Sequence, residues 1–570
     1  MEQSFDILRS RMERLFWKIA EEKENTVIDG VAGFNDKAQF TNGKVICEAA
    51  YVLCELLPAE QKDSGLEQLR QIIHFTSGML FETWGILYAL EGIYRLRQQG
   101  LLEKAVDAGD MEKLKSALDW RTFVDTEKDF ALIRKPTNYY GVAFGIARYR
   151  ELLGWEPVRY SAILLSHLLT HISRYSGEYG YMDETMGSGR YDRYSILIPA
   201  EITELVLSTD WEEPELIRSM LDRSAHICLR MADPRGTGFS YGRSIGAYGD
   251  TAVLQILSTA VTLGGIFTPD EEKLAQGYCC AIVRSMVHFW YDEEMQSVNM
   301  WDKGRRTDGY RNKNRILGEN LSLSIQIIVA EEQWERKGLT LTREPEGWQA
   351  LIDKQERFTL TRFSDVPLPR SLALVRDSGL VWSLPVINGG DDYLDRDPYL
   401  PVPRCNFLLE AVPDVTHAAW LPCIEMKNGE TLIPAGFADE TRLEQDGACC
   451  KVFIRQKGMI RLGKRPVEQE LGCETETAYT FVSGQITRED TLRVAPGLRG
   501  QIACVRLQCE WMQGRVQAEG YERRVEMKTN GLCLDTPHGR CGGAVRFERT
   551  VLPEDGVIRL KWTYQYEPVK

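Results

Sequence analysis

The chain has 570 residues, more than one hydrophobic core usually supports, so at least two domains are expected. With 43% apolar and 27% charged residues it falls among globular proteins, and a formal charge of −14 argues against nucleic acid or an anionic membrane surface as partners. No window nears about 18 unbroken apolar residues, so no membrane span is expected.

The opening stretch, "MEQSFDILRSRMERLFWKIAEE", is charged and amphipathic and lacks the apolar run of an export signal, which predicts a cytoplasmic protein. The 14 cysteines form no C-x-x-C pair and no metal-ligand spacing. In a reducing compartment they read as small buried thiols rather than disulfides.

To about residue 335 the apolar pattern is helical. In "YSAILLSHLLTHISRY" Leu164, Leu168, Ile172 and Tyr175 recur at three- or four-residue spacing, and in "ELIRSMLDRSAHICLRMA" Leu216, Met220, Ile227 and Met231 do the same. Polar clusters recur along this half at Glu82, Asn138, Tyr191 and Arg243. Their separations are 138 − 82 = 56, 191 − 138 = 53 and 243 − 191 = 52 residues, about one helical hairpin per step. A stacked or ring-like array with that repeat brings the clusters together as a polar funnel at one end.

After about residue 340 the texture turns to short β-rich runs such as "SLALVRDSGLVWSLPV" and "QIACVRLQC", and "IEMKNGETLIP" carries an Asn-Gly hairpin signal. The expected fold class is therefore α+β multidomain. An α/α toroid over residues 1–340 is followed by an antiparallel β-sandwich over 341–570, with the boundary in "RKGLTLTREPEGW", residues 336–348.

The stretch "GYMDETMGSGRYDRYS", residues 180–195, gathers phenols, guanidiniums and carboxylates at a helix junction. Aromatic faces rimmed by hydrogen-bonding groups suit sugars, and arginines suit a uronic carboxylate. Arg190, Arg193, Arg243, Asn138 and Tyr139 are candidate substrate ligands. Hydrolysis of a glycosidic bond needs two carboxyl groups across it, which makes Asp183, Glu184 and Asp192 candidates, with Asp250 and Glu319 also in the clusters. A second chemistry uses the same residues. A lyase takes the C5 proton of a uronate and expels the oxygen at C4, with Tyr194 and Tyr248 for proton transfer and Asn138, Arg193 and Arg243 for charge.

The run "WDKGRRTDGYRNKNR", residues 301–315, carries six bases and two acids and could reach over the funnel, or lie as a solvated loop. His167 and His171 stand at i, i+4 on a predicted helix, but no third ligand accompanies them and flanking leucines point to packing. No metal and no other cofactor is expected, and "GGDDY" at 389–393 lacks the context of a nucleotide-binding loop.

In "NYYGVAFGIARYRELLGWE", "YMDETMGSGRYDRYS" and "YGRSIGAYGD" the chain resembles a bacterial carbohydrate-enzyme family long described as a domain of unknown function and now associated with β-glucuronidases. That family's pattern has N-W opening a helix, then R-D-Y-Y-N, then G-R-S-L-x-Y. Here Tyr139 replaces the tryptophan, and Asp192 and Tyr194 stand where the aspartate and second tyrosine fall, with Arg193 between. "FETWGILYAL" and "GENLSLS" resemble an earlier and a late element, so the likeness spans about residues 75–330. A remoter likeness is to heparinase II/III-type lyases, which share a toroid followed by a sandwich, although their Asn-His pair is absent because Asn138 is followed by Tyr139. The resemblance implies a glycoside hydrolase of the β-glucuronidase kind, acting on uronic-acid-containing oligosaccharides. The alternatives are a uronate lyase and a noncatalytic glycan-binding protein. Sheet edges and sandwich faces leave room for a homo-oligomer.

Overall fold

The computed structural model describes residues 2–38, 40–303, 312–377, 379–388, 399–405, 418–464, 467–511, 513–527 and 543–567. Up to residue 335 it contains twelve helices of ten residues or more, arranged as six out-and-back hairpins. The outer members are α1 (Glu2–Glu22), α3 (Lys62–Thr76), α5 (Ala108–Ala117), α7 (Tyr160–Tyr175), α9 (Glu215–Arg230) and α11 (Pro269–Ser285). The inner members are α2 (Thr41–Tyr51), α4 (Thr83–Gln98), α6 (Tyr139–Leu152), α8 (Arg193–Ser208), α10 (Ala247–Leu263) and α12 (Ile316–Glu335).

Burial separates the two sets as their sequences require. Helix α7 buries one stripe, Leu164, Leu165, Leu168 and Ile172, whereas α10 is apolar and buried on nearly every side. Local signals fix the ends. Thr268 and Glu271 form a reciprocal capping box ahead of α11, with Pro269 at its first position.

The ring closes. Gly318 of α12 lies against Thr41 and Lys44 of α2, and Lys44 pairs with Glu319 at 3.5 Å. Between α2 and α4 the backbones touch, because Gly43 faces the Gly85 carbonyl and Gly92 faces Cys47. Since every hairpin runs out and back, the six inner helices are parallel and their N-termini gather at one end. His167 and His171, on α7, pack against Tyr140 of α6, the first stacked and the second tilted, with ring centroids 5.7 and 4.7 Å away.

The last ring helix ends at Glu335 and the first sheet begins at Phe358. Strands β1 (Phe358–Ser364), β2 (Arg370–Asp377) and β3 (Leu380–Val386) make an antiparallel three-stranded sheet. Strand β2 is buried on both faces. Leu372 and Leu374 join the toroid core, whereas Ala373 and Val375, on the other side of the pleat, join the sandwich core. Beyond it, a seven-stranded and a six-stranded antiparallel sheet pack face to face around Trp420, Tyr479, Leu507, Phe547, Trp562 and Tyr564. The Asn-Gly signal forms the hairpin between Cys423–Met426 and Thr431–Ile433, with Gly429 at φ 87°. The fold class is the expected one, α/α toroid followed by antiparallel β-sandwich. Among the described residues no helix is long and apolar enough to cross a membrane.

Much of the 177–193 stretch is a seam against β1. Tyr191 stacks on Phe363 with centroids 4.9 Å apart, Tyr181 meets the same ring edge-on at 5.0 Å, and Tyr179 donates to Asp365 at 2.5 Å. The tyrosine cluster therefore divides, with these three facing the sheet.

Asp250, in the first turn of α10, accepts from Gly238 N–H at 2.6 Å and from Trp290 Nε1–H at 2.7 Å. It is a buried tie between loop and helix rather than a free acid. Burial outweighs the two donors and pushes its carboxyl up to about 7. A carboxyl raised on folding stabilises the fold fully below the unfolded value of 3.8 and loses that contribution as pH rises to about 7. Thermal unfolding of Asp250→Asn against pH should therefore lack this part of the wild-type decline between pH 4 and 7. An unchanged slope would remove Asp250 as its source.

Candidate active site

The sequence clusters meet at the N-terminal mouth of the inner ring. Three of the inner helices are entered through non-glycine residues with positive φ: Phe40 at 65°, Thr83 at 28° and Ser244 at 55°. Such backbone is costly and is retained where side chains must be aimed.

Arg243 is the hub. Its guanidinium lies 4.3 Å from the Tyr194 ring centroid, pairs with Glu184, and brings Nε to 3.4 Å from Asp192. Arg193, the first residue of α8, lies 4.4 Å from the same ring and 5.7 Å from that of Tyr248, and its Nε donates to the Tyr248 carbonyl at 2.9 Å. The Tyr194 phenol, half-buried, shares a 3.2 Å hydrogen bond with the Ser244 hydroxyl. Two guanidiniums beside one phenol stabilise negative charge arising on its oxygen.

The predicted carboxylates are otherwise occupied. Asp183 accepts from the Thr185 amide and hydroxyl, the Gly189 amide and the Arg190 amide, at 2.7 to 3.2 Å, so it organises its own loop. Burial nonetheless raises its carboxyl above the usual range. Asp192 caps α8 through the Tyr194 amide at 2.9 Å and accepts from Tyr399 at 2.5 Å. Glu184 is wholly buried between Arg243 and Arg190, the latter at 3.5 Å. Arg190, expected to bind substrate, is thus drawn to Glu184. The reason is the same in each case, since a buried carboxylate must be paired or hydrogen-bonded, and the backbone of its own loop supplies partners invisible to composition.

Two predicted ligands, Asn138 and Arg193, keep a buried atom without a partner. Asn138 stands at the N-cap of α6 but makes no capping bond, and its buried Oδ1 has no partner. Arg193 Nη1 is likewise buried and unpartnered. Tyr139 is half-buried near Thr83, and burial raises its phenol, which keeps it a proton donor. Tyr248 is buried against Arg193. On the floor, Glu319 sits 2.9 Å from Arg315 Nε and 3.5 Å from Lys44, while Asn320 bonds Arg11 and the Val298 amide and serves the fold. Of the basic run 301–315, residues 304–311 lie outside the described residues, as does the 389–393 glycine stretch.

Sequence reasoning misses Tyr399. It arrives from the region after β3, 207 residues beyond Asp192, and no local pattern marks it. Removing its hydroxyl in Tyr399→Phe should cost about 2 kcal/mol, the usual worth of a hydrogen bond to a charged group, and loosen Asp192 beneath Arg243. Thermal melting and turnover read the two effects separately.

The fold and site define a toroid–sandwich protein with a basic, tyrosine-bearing site at the N-terminal mouth of its ring. No family model matches the chain, and no curated protein matches it. Among solved structures, a chondroitinase AC lyase is 10% identical with a TM-score of 0.45, the match covering 100% of this chain and 83% of that one. A heparan sulfate lyase from Pedobacter heparinus is 9% identical with a TM-score of 0.25, over 99% and 89%. A type II terpene cyclase from Scytonema is 10% identical with a TM-score of 0.35, over 58% and 99%. Two of the three are named as lyases.

Proposed function

We propose that the protein is a lyase that cleaves uronic-acid-containing oligosaccharides by β-elimination. The observation that carries this reading is the Tyr194 phenol beside the guanidiniums of Arg193 and Arg243, while Asp183, Glu184 and Asp192 are spent on internal bonds. Hydrolysis ordinarily uses two carboxyl groups facing the scissile bond, whereas Asp183 and Asp192 are held by hydrogen bonds and Glu184, although its Oε2 accepts none, is clamped between two guanidiniums.

In the proposed reaction the unpartnered donor Arg193 Nη1 receives the uronic carboxylate, which acidifies the proton at C5, while Asn138 Oδ1, an acceptor without a partner, takes a hydrogen bond from a sugar hydroxyl. The gathered N-termini of the inner helices add positive potential at the same mouth. Ionised Tyr194 takes the C5 proton. The electron pair forms the C4=C5 double bond, the C4–O4 bond breaks, and O4 leaves with a proton returned by Tyr194 or Tyr248.

The test is incubation with a panel of uronic-acid disaccharides, read by mass spectrometry and ultraviolet absorbance. Elimination gives products that sum to the intact substrate and a new absorbing enoate. Products heavier by one water, with no enoate, would restore the hydrolase reading. Binding without turnover would leave the noncatalytic one.

A further inference from the structure

The axis of the ring is hollow. Below the site a cavity of about 310 Å³ runs between the inner helices, and Leu207, Ser208, Thr262 and Arg336 surround its far mouth near their C-terminal ends. Five glutamates line it against one lysine and two arginines. The two internal bases form their ion pairs with other glutamates, Lys44 with Glu319 at 3.5 Å and Arg95 with Glu55 at 3.0 Å, and reach Glu48 only through longer-range attraction that does not offset its burial. Glu204 is satisfied by Gln255, Thr259 and Gln333.

Glu48 and Glu201 differ. Neither forms a hydrogen bond or a salt bridge with a described residue, although both line the cavity. Glu48 is only 4% exposed, and its Oε2 is buried without any partner. Buried carboxylates are ordinarily paired, so the buried, unpartnered Glu48 oxygen, with the half-buried Glu201 on the same cavity, marks a place that a cation fits. Burial holds both carboxyls above the usual range, a cost that an arriving positive charge would relieve. A shared metal ion is a poor fit. Among the described residues the group close enough to chelate one is His74, Asp107 and Asp110, elsewhere on the molecule, and Lys113 already sits 2.8 Å from Asp110. Between the acidic positions the walls are apolar, with Leu87, Leu205 and Val329.

We propose that the ring lumen binds an aliphatic diamine or polyamine, its ammonium groups on Glu48 and Glu201 and its methylene chain along Leu87, Leu205 and Val329. This site is separate from the uronate reading and does not depend on it.

The experiment is isothermal titration of the full chain with spermidine, and with pentane-1,5-diol as an uncharged comparison. Spermidine should bind saturably at one site, the diol should give no saturable heat, and Glu48→Gln and Glu201→Gln should each weaken spermidine by about tenfold or more. Circular-dichroism melting checks that each variant folds, and either variant alone suffices if the other does not. Absence of saturable spermidine binding, equal binding of the diol, or unchanged affinity in a folded variant would each overturn the proposal.

Discussion

Replacing Tyr194 by phenylalanine should lower turnover of a uronic disaccharide by about 10³-fold, the middle of the range for losing a positioned proton-transfer group. The substitution removes one oxygen and keeps the ring that Arg193 and Arg243 lie over, so melting temperature and KM should change little. Loss in kcat with KM preserved separates a chemical role from a packing one. If the variant keeps more than about a tenth of wild-type turnover, the phenol is not the base, and Tyr248→Phe becomes the next variant to assay.

The second large effect concerns the ring rather than the chemistry. Gly43→Ala should destabilise the toroid by about 3 kcal/mol, because the added methyl would overlap the Gly85 backbone carbonyl, which cannot turn aside as a flexible side chain would. The clash falls where α2 and α4 meet backbone to backbone, at the mouth that positions Thr83 beside Tyr139. Thermal unfolding reads the loss. Gly78→Ala is the matched control, since a methyl there meets nothing within 4 Å, and equal melting of the two variants would remove the steric explanation.

The helical half was legible because each amphipathic hairpin repeats its burial pattern about every 53 residues, which is a property of sequence and of nothing more distant. The same repeat carries Asn138, Arg193 and Arg243 to one mouth, since each stands just before or at the start of an inner helix or in the loop leading to it. Roles within the mouth were less legible. Asp183 and Asp192 look like free acids in the sequence, yet their partners are backbone amides of their own loop and helix. Tyr181 and Tyr191 look like sugar platforms, yet they face Phe363, a residue from a sheet that begins well over a hundred positions later. Glu48 and Glu201 lie outside every polar cluster of the sequence. Only ring closure turns them toward a common interior.

That closure also sets an order of events during synthesis. Lys44 and its partner Glu319 are 275 residues apart, so on a ribosome adding 5 to 20 residues per second the first hairpin waits roughly 15 seconds to a minute for its neighbour. Throughout that interval the flank of α2 that will receive α12 is exposed to the cell. A nascent chain with such a seam is a natural client for chaperones that shield apolar surface, and truncations ending before Ile316 should be more prone to aggregation than chains that include Glu335.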